Sequence, residues 1–438
     1  MSRRPVLRTS LPGPRARELV LANEAVVSTS FTRDYPLVAV RGEGSWIIDP
    51  DGNEFLDITS GIGVTATGHC HPAVVAAIQR QAADLLHMSG TDFYYPAQNE
   101  LAVALCQVAA VKGADQGVRV FFGNSGTEGV ECALKLARWF TKRSYILGFL
   151  GSFHGRSMGA LSVTSSKVRQ RERFGPMMPG VVHGLYADPY RMGPDAAANA
   201  LAHIEELLLT ILPPDELAAV LVEPIQGEGG YVIPPDEFLV GLRALCDRTG
   251  AMLIFDEVQS GMGRTGKLWA FEHTAVRPDI LVAAKGIASG LPLSATFARN
   301  EVMSWPPGAH ANTFGGNPLA CVAAIETLKL LQAEYIANAA AMGEHLLRRL
   351  RSAVGDHTNV GDIRGRGLMV GVELVADRRT KERAPELRNR VVRAAFDRGL
   401  LLLGCGRNTI RFAPSLAVSA DELDVAVELF AATLDACA

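Results

Sequence analysis

The sequence predicts an α/β protein, with a large doubly wound domain around an open parallel sheet and a smaller α+β domain drawn from both ends of the chain. Three observations carry this. From residue 72 onward, apolar strand-like runs alternate with segments of helical period, as in successive βαβ units. Three of those runs, at 217–222, 251–255 and 279–284, each lead into one ionisable residue. These are Glu223, Asp256 and Lys285, spaced by 33 and 29 residues, each about one βαβ unit. The flanks instead carry short strands, so the expected division is 1–71 (arm and small-domain segment), 72–325 (large domain) and 326–438 (small domain).

Taken in order, residues 1 to about 30 read as an exposed arm with a short helix near 16–25. Residues 37–57 alternate in short runs around Asp51-Gly52, a hairpin signal. Helices are predicted at 72–87, 97–109 and 127–142, and strands at 118–122 and 145–150. In the third helix Val130, Ala133, Leu134 and Ala137 fall on one face. The helix at 235–249 aligns Leu239, Leu242 and Cys246, with Asp236 available to cap its start and Gly250 to end it. After Asn317-Pro318 a long helical stretch (319–354) leads to strands near 368–375, 399–404 and 409–413. No internal repeat interrupts this order.

Composition narrows the function. A chain of 438 residues, 48% hydrophobic, exceeds what one core serves. Its net charge of −3, with no basic block longer than a pair, argues against nucleic acid. No run of apolar residues is long enough for a membrane span, and Pro12 and Pro14 break the N-terminal segment before a signal core can form. Seven scattered cysteines without a Cys-x-x-Cys pair fit reduced thiols, hence an expected cytoplasmic location. Gly68-His-Cys-His-Pro72 is a poor zinc site and no metal is expected, because adjacent residues do not turn to one ion and no partner cluster follows.

In an open parallel sheet, ligands bind beyond the carboxyl ends of the strands, so one crevice collects Glu223, Asp256 and Lys285. Burial favours the neutral form of a lysine, which is the nucleophile that condenses with a carbonyl. A snorkelling strand-end lysine is the plainer alternative; alignment with two acid-ended strands counts against it. The run 118–129, ending Gly-Asn-Ser-Gly-Thr-Glu-Gly, joins a strand to a helix and suits a phosphate, although a Gly-rich capping turn looks similar. Gly261-Met-Gly-Arg-Thr-Gly266 with Lys267 imitates two nucleotide motifs. It fails both, because Leu268 stands where a P-loop needs Ser or Thr and no strand directly precedes it. A phosphorylated aldehyde gives every group a role. Lys285 condenses with it, Asp256 faces a pyridine nitrogen, Phe153 stacks on the ring, Gln259 donates to the phenolic oxygen, and Arg156 and Arg411 hold carboxylates.

Together, Asn-Ser-Gly-Thr-Glu-Gly, Ser-Phe-His-Gly-Arg, Val-Glu-Pro-Ile-Gln-Gly-Glu-Gly-Gly, Phe-Asp-Glu-Val-Gln-Ser-Gly-Met-Gly-Arg-Thr-Gly, Ala-Lys-Gly, Thr313-Phe-Gly-Gly-Asn-Pro318 and Ile410-Arg-Phe-Ala-Pro-Ser-Leu416 resemble the class III aminotransferases from about residue 31 to 435. These are pyridoxal 5'-phosphate enzymes of fold type I, the aspartate aminotransferase fold. The resemblance implies that Gly126 and Thr127 hold the phosphate. It also implies that Thr313 reaches the phosphate of a neighbouring subunit, making the enzyme a homodimer or a pair of dimers. Arg411 becomes the clamp for the α-carboxylate of a 2-oxo acid, and Glu228 a gate that neutralises it when an ω-amine donor is bound.

The chain is most similar in style to 4-aminobutyrate aminotransferases. Ile62 stands where ornithine enzymes tend to place tyrosine, and Leu403-Gly-Cys-Gly406 is in the style of the 4-aminobutyrate enzymes. The expected reaction is ping-pong transfer from an ω-amino acid to 2-oxoglutarate. Acetylornithine and ornithine aminotransferases share nearly all these residues and remain alternatives. So do amino-acid racemases and epimerases of the same fold, several of which carry Asp in place of Glu228. A non-enzymatic or nucleotide-binding domain is poorly served by Lys285, Asp256 and Arg411 together.

Overall fold

In the computed structural model, which describes residues 3–438, seven strands form the central sheet. Their order is Val118–Gly123, Ser294–Arg299, Ile280–Ala283, Met252–Asp256, Leu217–Val222, Tyr145–Phe149 and Val181–Gly184. The last five are mutually parallel, and Ser294–Arg299 runs antiparallel to both its neighbours. Successive strand residues point to opposite faces, so the sheet feeds two core layers. Leu253, Phe255, Leu281 and Ala283 pack with Phe238, Leu239 and Leu242 of the helix Asp236–Thr249. Met252, Ile254, Ile280 and Val282 pack with Val130, Ala133, Leu134 and Ala137 of the helix Gly126–Thr141. Burial on both faces is why these strands read as unbroken apolar runs. Each fully buried large side chain contributes about 1.5–3 kcal/mol, so the layer fixes the strand ends firmly.

Two small sheets lie outside this layer. The expected hairpin forms from Trp46–Ile48 and Glu54–Asp57, Trp46 opposite Leu56, around Gly52 at φ +83°. Leu400–Leu401, from the far end of the chain, adds to it in parallel, so both termini build one sheet. The other sheet is antiparallel and carries Val360–Arg366, Met369–Asp377, Thr409–Phe412 and Leu403–Cys405.

Besides the two-residue strand Glu382–Arg383, three strands are not legible in the sequence. Val181–Gly184 is a short, mostly half-buried edge. Ser294–Arg299 hides polar residues: Thr296 is buried because its hydroxyl donates to Gly129 O at 3.1 Å. Val360–Arg366 has two glycines and three charged residues and only Val360 and Ile363 as apolar positions, too few for a strand pattern.

One local expectation is corrected. Asp236 does not cap its helix; Pro235 occupies that position, and the Asp236 carboxylate instead accepts from Arg366 Nη2 at 3.1 Å. Gly250, at φ +74°, does end that helix. The helical stretch expected at 319–354 is present, built from Pro318–Leu330, a π-helical turn Leu331–Tyr335, and Ile336–Val354. The two histidines of residues 68–72 each have their own partner. His69 Nε2 meets Asp57 Oδ2 at 2.8 Å, and His71 Nδ1 accepts from Ala73 N–H to cap the helix Pro72–Asp84. Among the described residues no helix is long and apolar enough to cross a membrane.

Candidate active site

The strand ends deliver the first groups. Asp256 closes Met252–Asp256 and is buried; its Oδ2 meets His154 Nδ1 at 2.7 Å and its Oδ1 accepts from Val258 N–H at 3.0 Å. His154 is itself buried, with its backbone N–H donating to Thr164 Oγ1 at 2.9 Å, so the carboxylate is fixed from two sides. Glu223, directly after Leu217–Val222, accepts from Phe153 N–H and Gly227 N–H, each at 3.0 Å. Burial pushes its carboxyl up to about 7, with the nearby Asp256 charge adding to the effect. Of the strand-end acids, Glu223 thus ties the loops at 153 and 227 together.

Lys285 follows Ile280–Ala283 with φ +43°, a left-handed conformation that costs a non-glycine residue roughly 1–2 kcal/mol. Such strain is retained where the surroundings over-determine it, commonly at reacting groups. Burial lowers the ammonium to about 8, the Arg411 charge assisting and Glu228, Asp256 and Glu223 opposing. A second strained turn lies at Ser60, Gly61, Ile62 and Gly63, all with φ between +43° and +73°. A β-branched residue is an outlier there, yet Ile62 is held in place and 43% exposed. The turn is anchored through Ser60 Oγ, which donates to Ala413 O at 2.6 Å and accepts from Arg264 Nη2 at 3.4 Å.

The helix Gly126–Thr141 is capped by Ser125, whose Oγ accepts from Glu128 N–H. The N–H groups of Gly126 and Thr127, in the first turn, have no intrahelical acceptor and suit an anion. Space explains the glycines. A Cβ on Gly126 would lie 2.7 Å from Val258 Cγ1, and one on Gly155 2.2 Å from Thr127 Oγ1. Thr127 Oγ1 is 2.7 Å from Ser157 Oγ. Phe153 is half-buried beside this turn's partner loop, and Arg156 is exposed, its Cζ 5.9 Å from the Phe153 ring centre. Tyr231 donates to Gln259 Oε1 at 2.9 Å, leaving the Gln259 amide nitrogen as a donor, the polarity a phenolate oxygen needs.

Arg411, on Thr409–Phe412, pairs through Nη1 with Glu228 Oε1 at 2.5 Å, the two side chains 6% and 15% exposed. Arg411 Nε is buried without a hydrogen-bond partner among the described residues. Although burial acts to raise it, Arg411, Lys167 and Lys285 hold the Glu228 carboxyl down at about 2. Thr313 alone stands apart, exposed on the segment before Asn317 with no hydrogen bond to the cluster among the described residues. Two open concavities of about 700 and 410 Å³ lie near that segment and share Val120, Phe121 and His310; neither is lined by Lys285 or Asp256.

Four contributors carried no role in the sequence reading: His154, Lys167, Arg264 and Arg364. His154 and Arg264 sat within quoted motifs, which was the available signal. Lys167 and Arg364 act through contacts between distant segments that no local pattern announces.

The donor set fits pyridoxal phosphate: a helix N-terminus with a hydroxyl for the phosphate, a histidine-backed carboxylate for the ring nitrogen, an amide donor and a partly neutral amine. The chain matches the family model Aminotransferase class-III over residues 29–434. It is 44% identical to an acetylornithine aminotransferase of Methanopyrus kandleri, covering 96% of this chain and 99% of that protein. It is 38% identical to a 4-aminobutyrate aminotransferase of Mycobacterium leprae (95% of each) and 37% identical to an alanine/serine racemase of Pyrococcus horikoshii (95% and 90%). A PLP-bound amine transaminase from an uncultivated Pseudomonas species superimposes with a TM-score of 0.87 at 32% identity, covering 94% of this chain and 98% of that one.

Proposed function

This chain belongs to the class III aminotransferases, which are pyridoxal-phosphate enzymes, and from that premise we propose that it moves the amino group of an ω-amino acid to a 2-oxo acid, with 4-aminobutyrate and 2-oxoglutarate as the model pair. The observation that carries this reading is the Glu228–Arg411 ion pair. An ω-amine donor brings no carboxylate next to its reacting carbon, and the pair neutralises Arg411 for that half-reaction. A 2-oxo acid does bring one, and needs Arg411 released. Arg156, exposed and beside Phe153, is the proposed ligand of the distal carboxylate in both halves, because a guanidinium fixes carboxylate orientation bidentately. Ile62 supplies an apolar wall on its strained turn.

When bound, pyridoxal phosphate supplies an aldehyde and a ring that accepts electrons from the substrate. Gly126 and Thr127 would hold its phosphate, Asp256 the proton on its ring nitrogen, and Gln259 its phenolic oxygen. Lys285 Nζ is the proposed base that takes the proton from the substrate's amine-bearing carbon, and its lowered pKa keeps a useful fraction neutral near physiological pH.

The test is single-turnover kinetics of each half-reaction. Glu228→Ala leaves Arg411 unpaired, and removing one partner of a buried ion pair costs about 3–5 kcal/mol. It should slow 4-aminobutyrate by about 10²-fold or more while sparing glutamate, and Arg411→Ala should do the reverse. N-acetylornithine and ornithine, run as donors beside 4-aminobutyrate, choose within the ω-amine class. Equal slowing of both halves removes the gate. Exchange and inversion of the α-hydrogen of an amino acid without any oxo acid makes the protein a racemase, as one relative's name suggests.

A homodimer is proposed on the exposed apolar residues around Thr313. Leu86, Phe93, Tyr94 and Phe314 are 60, 51, 102 and 59% exposed. They lie on two segments joined by the Thr91 Oγ1 to Asn312 O bond at 2.8 Å and by a tilted contact of the His87 and Phe314 rings, centroids 4.9 Å apart. A patch of this kind calls for cover. Tyr94→Asp with Phe314→Glu should give a monomer by sedimentation and weaken cofactor retention, since Thr313 would then have no second site to serve. A folded variant that still sediments as a dimer places the interface elsewhere.

A further inference from the structure

Glu228 is a carboxylate shared between two cations. Its Oε1 lies on Arg411, and its Oε2 lies 3.5 Å from Lys167 Nζ, on the open side of the site, where the lysine side chain is 44% exposed. The backbone around it is pinned. Glu228 O accepts from Gly406 N–H at 2.7 Å, and Arg364 donates to Gly230 O at 2.6 Å and Tyr231 O at 3.1 Å. Arg364 is in turn paired with Asp362 at 2.8 Å and Glu373 at 2.7 Å. Gln226 and Val232 exchange both backbone hydrogen bonds across the base of the loop. Gly229 O and Gly406 are also so close that a Cβ on Gly406 would lie 2.8 Å from that oxygen. A gate built on this loop therefore opens by rotating the Glu228 side chain, not by moving the loop.

A carboxylate leaving Arg411 needs another cation or water, because an unpaired buried charge is costly. Lys285, the other cation acting on Glu228, is assigned to the reacting carbon. We propose that Lys167 is the catch of the open gate, a specificity-determining residue that receives Glu228 when the α-carboxylate of a 2-oxo acid takes its place on Arg411. The inference rests on the gate reading above. The setting of Lys167 suits a catch. It precedes a short 3₁₀ turn, Val168–Gln170, whose following residue Arg171 donates to Ser162 O at 3.1 Å and Thr164 O at 2.5 Å. The segment is anchored while the lysine head reaches solvent, so the open position is partly hydrated and the closed one is dry.

The test uses two unreactive acids on the cofactor-loaded enzyme, with dissociation constants from calorimetry. Glutarate presents both carboxylates and needs the gate open; pentanoate presents one and does not. Lys167→Met is expected to weaken glutarate about 5-fold relative to pentanoate, the scale of a partly exposed ion pair, and Lys167→Arg to restore most of it. In a Glu228→Gln background, where no charge needs catching, Lys167→Met should change that ratio less than about 2-fold. A crystal structure with glutarate should show Glu228 released from Arg411 and drawn closer to Lys167 than the present 3.5 Å. Equal loss of both acids, persisting with Glu228→Gln, makes Lys167 a ligand of the distal carboxylate and overturns the catch. A glutarate-to-pentanoate ratio that responds to Glu228→Gln but not to Lys167→Met leaves the gate standing and removes the catch. A ratio indifferent to Glu228→Gln removes both.

Discussion

Lys285→Ala should lower turnover by at least about 10⁴-fold, the loss of both a nucleophile and a general base, while leaving the fold intact. The position is partly buried at the end of a rigid strand, and alanine there vacates a cation without deleting core packing. The left-handed backbone persists, because alanine is no freer at φ +43° than lysine, so the thermal midpoint should move by only a few degrees. Two readouts separate this role from a structural one. Borohydride reduction of the wild-type holoenzyme and peptide mapping should place the pyridoxyl group on Lys285. Two other lysines are engaged elsewhere: Lys112 on Asp247 at 2.6 Å and Lys135 on His310 at 2.9 Å. Small primary amines added to the variant should restore part of the activity, rising with the free-base concentration. In the wild-type apoprotein, reaction of Lys285 with an aldehyde should follow a titration near pH 8. A lysine lowered from 10.5 to about 8 has roughly 300-fold more neutral amine at neutral pH than an unperturbed one. A label on Lys112 or Lys267, or rescue-free loss matched by unfolding, would defeat the assignment.

The strand-end logic that picked out Lys285 was legible because its signal is local. An unbroken apolar run is a strand buried on both faces, and an ionisable residue at its end has one crevice to enter. The same holds for the helix at Gly126–Thr141, whose apolar period places Val130, Ala133, Leu134 and Ala137 in one core layer. The strand Ser294–Arg299 was invisible for the complementary reason. Its antiparallel pairing to Ile280–Ala283 and Val118–Gly123 is satisfied by Ala, Ser and Thr side chains, whose burial depends on partners such as Gly129 O. Arg264 lies inside Gly-Met-Gly-Arg-Thr-Gly, a run that imitates nucleotide motifs and also belongs to the aminotransferase resemblance, yet its sequence gives it no role. The structure buries it with no carboxylate partner among the described residues, held by the carbonyls of Leu368 and Pro414 and by Ser60 Oγ. It thereby joins the left-handed turn under Ile62 to the segment just past Arg411. Nothing local in Gly-Met-Gly-Arg-Thr-Gly announces contacts to residues 60, 368 and 414, so that link became visible only in three dimensions.

Asp256→Asn tests the remaining strand end, and its effect follows from how the carboxylate is used. One oxygen accepts from Val258 N–H and the other lies 2.7 Å from His154 Nδ1. An asparagine keeping its oxygen on Val258 turns its amide nitrogen toward His154, and the imidazole answers by presenting a bare Nδ1 as acceptor. Both hydrogen bonds survive, so folding and cofactor retention through Gly126 and Thr127 should survive as well. What is lost is the negative charge. No atom of the neutral amide can hold a proton on a ring nitrogen by charge, and losing one preorganised electrostatic partner typically costs about 10²–10³-fold in turnover. The readout besides activity is the ¹⁵N resonance of the bound cofactor's ring nitrogen, which should shift from its protonated to its unprotonated position across neutral pH. Asp256→Glu, which keeps the charge but displaces it by one methylene, should retain the protonated resonance and recover part of the rate. An Asn variant with near-normal turnover and a protonated ring nitrogen would mean that the carboxylate serves His154 alone.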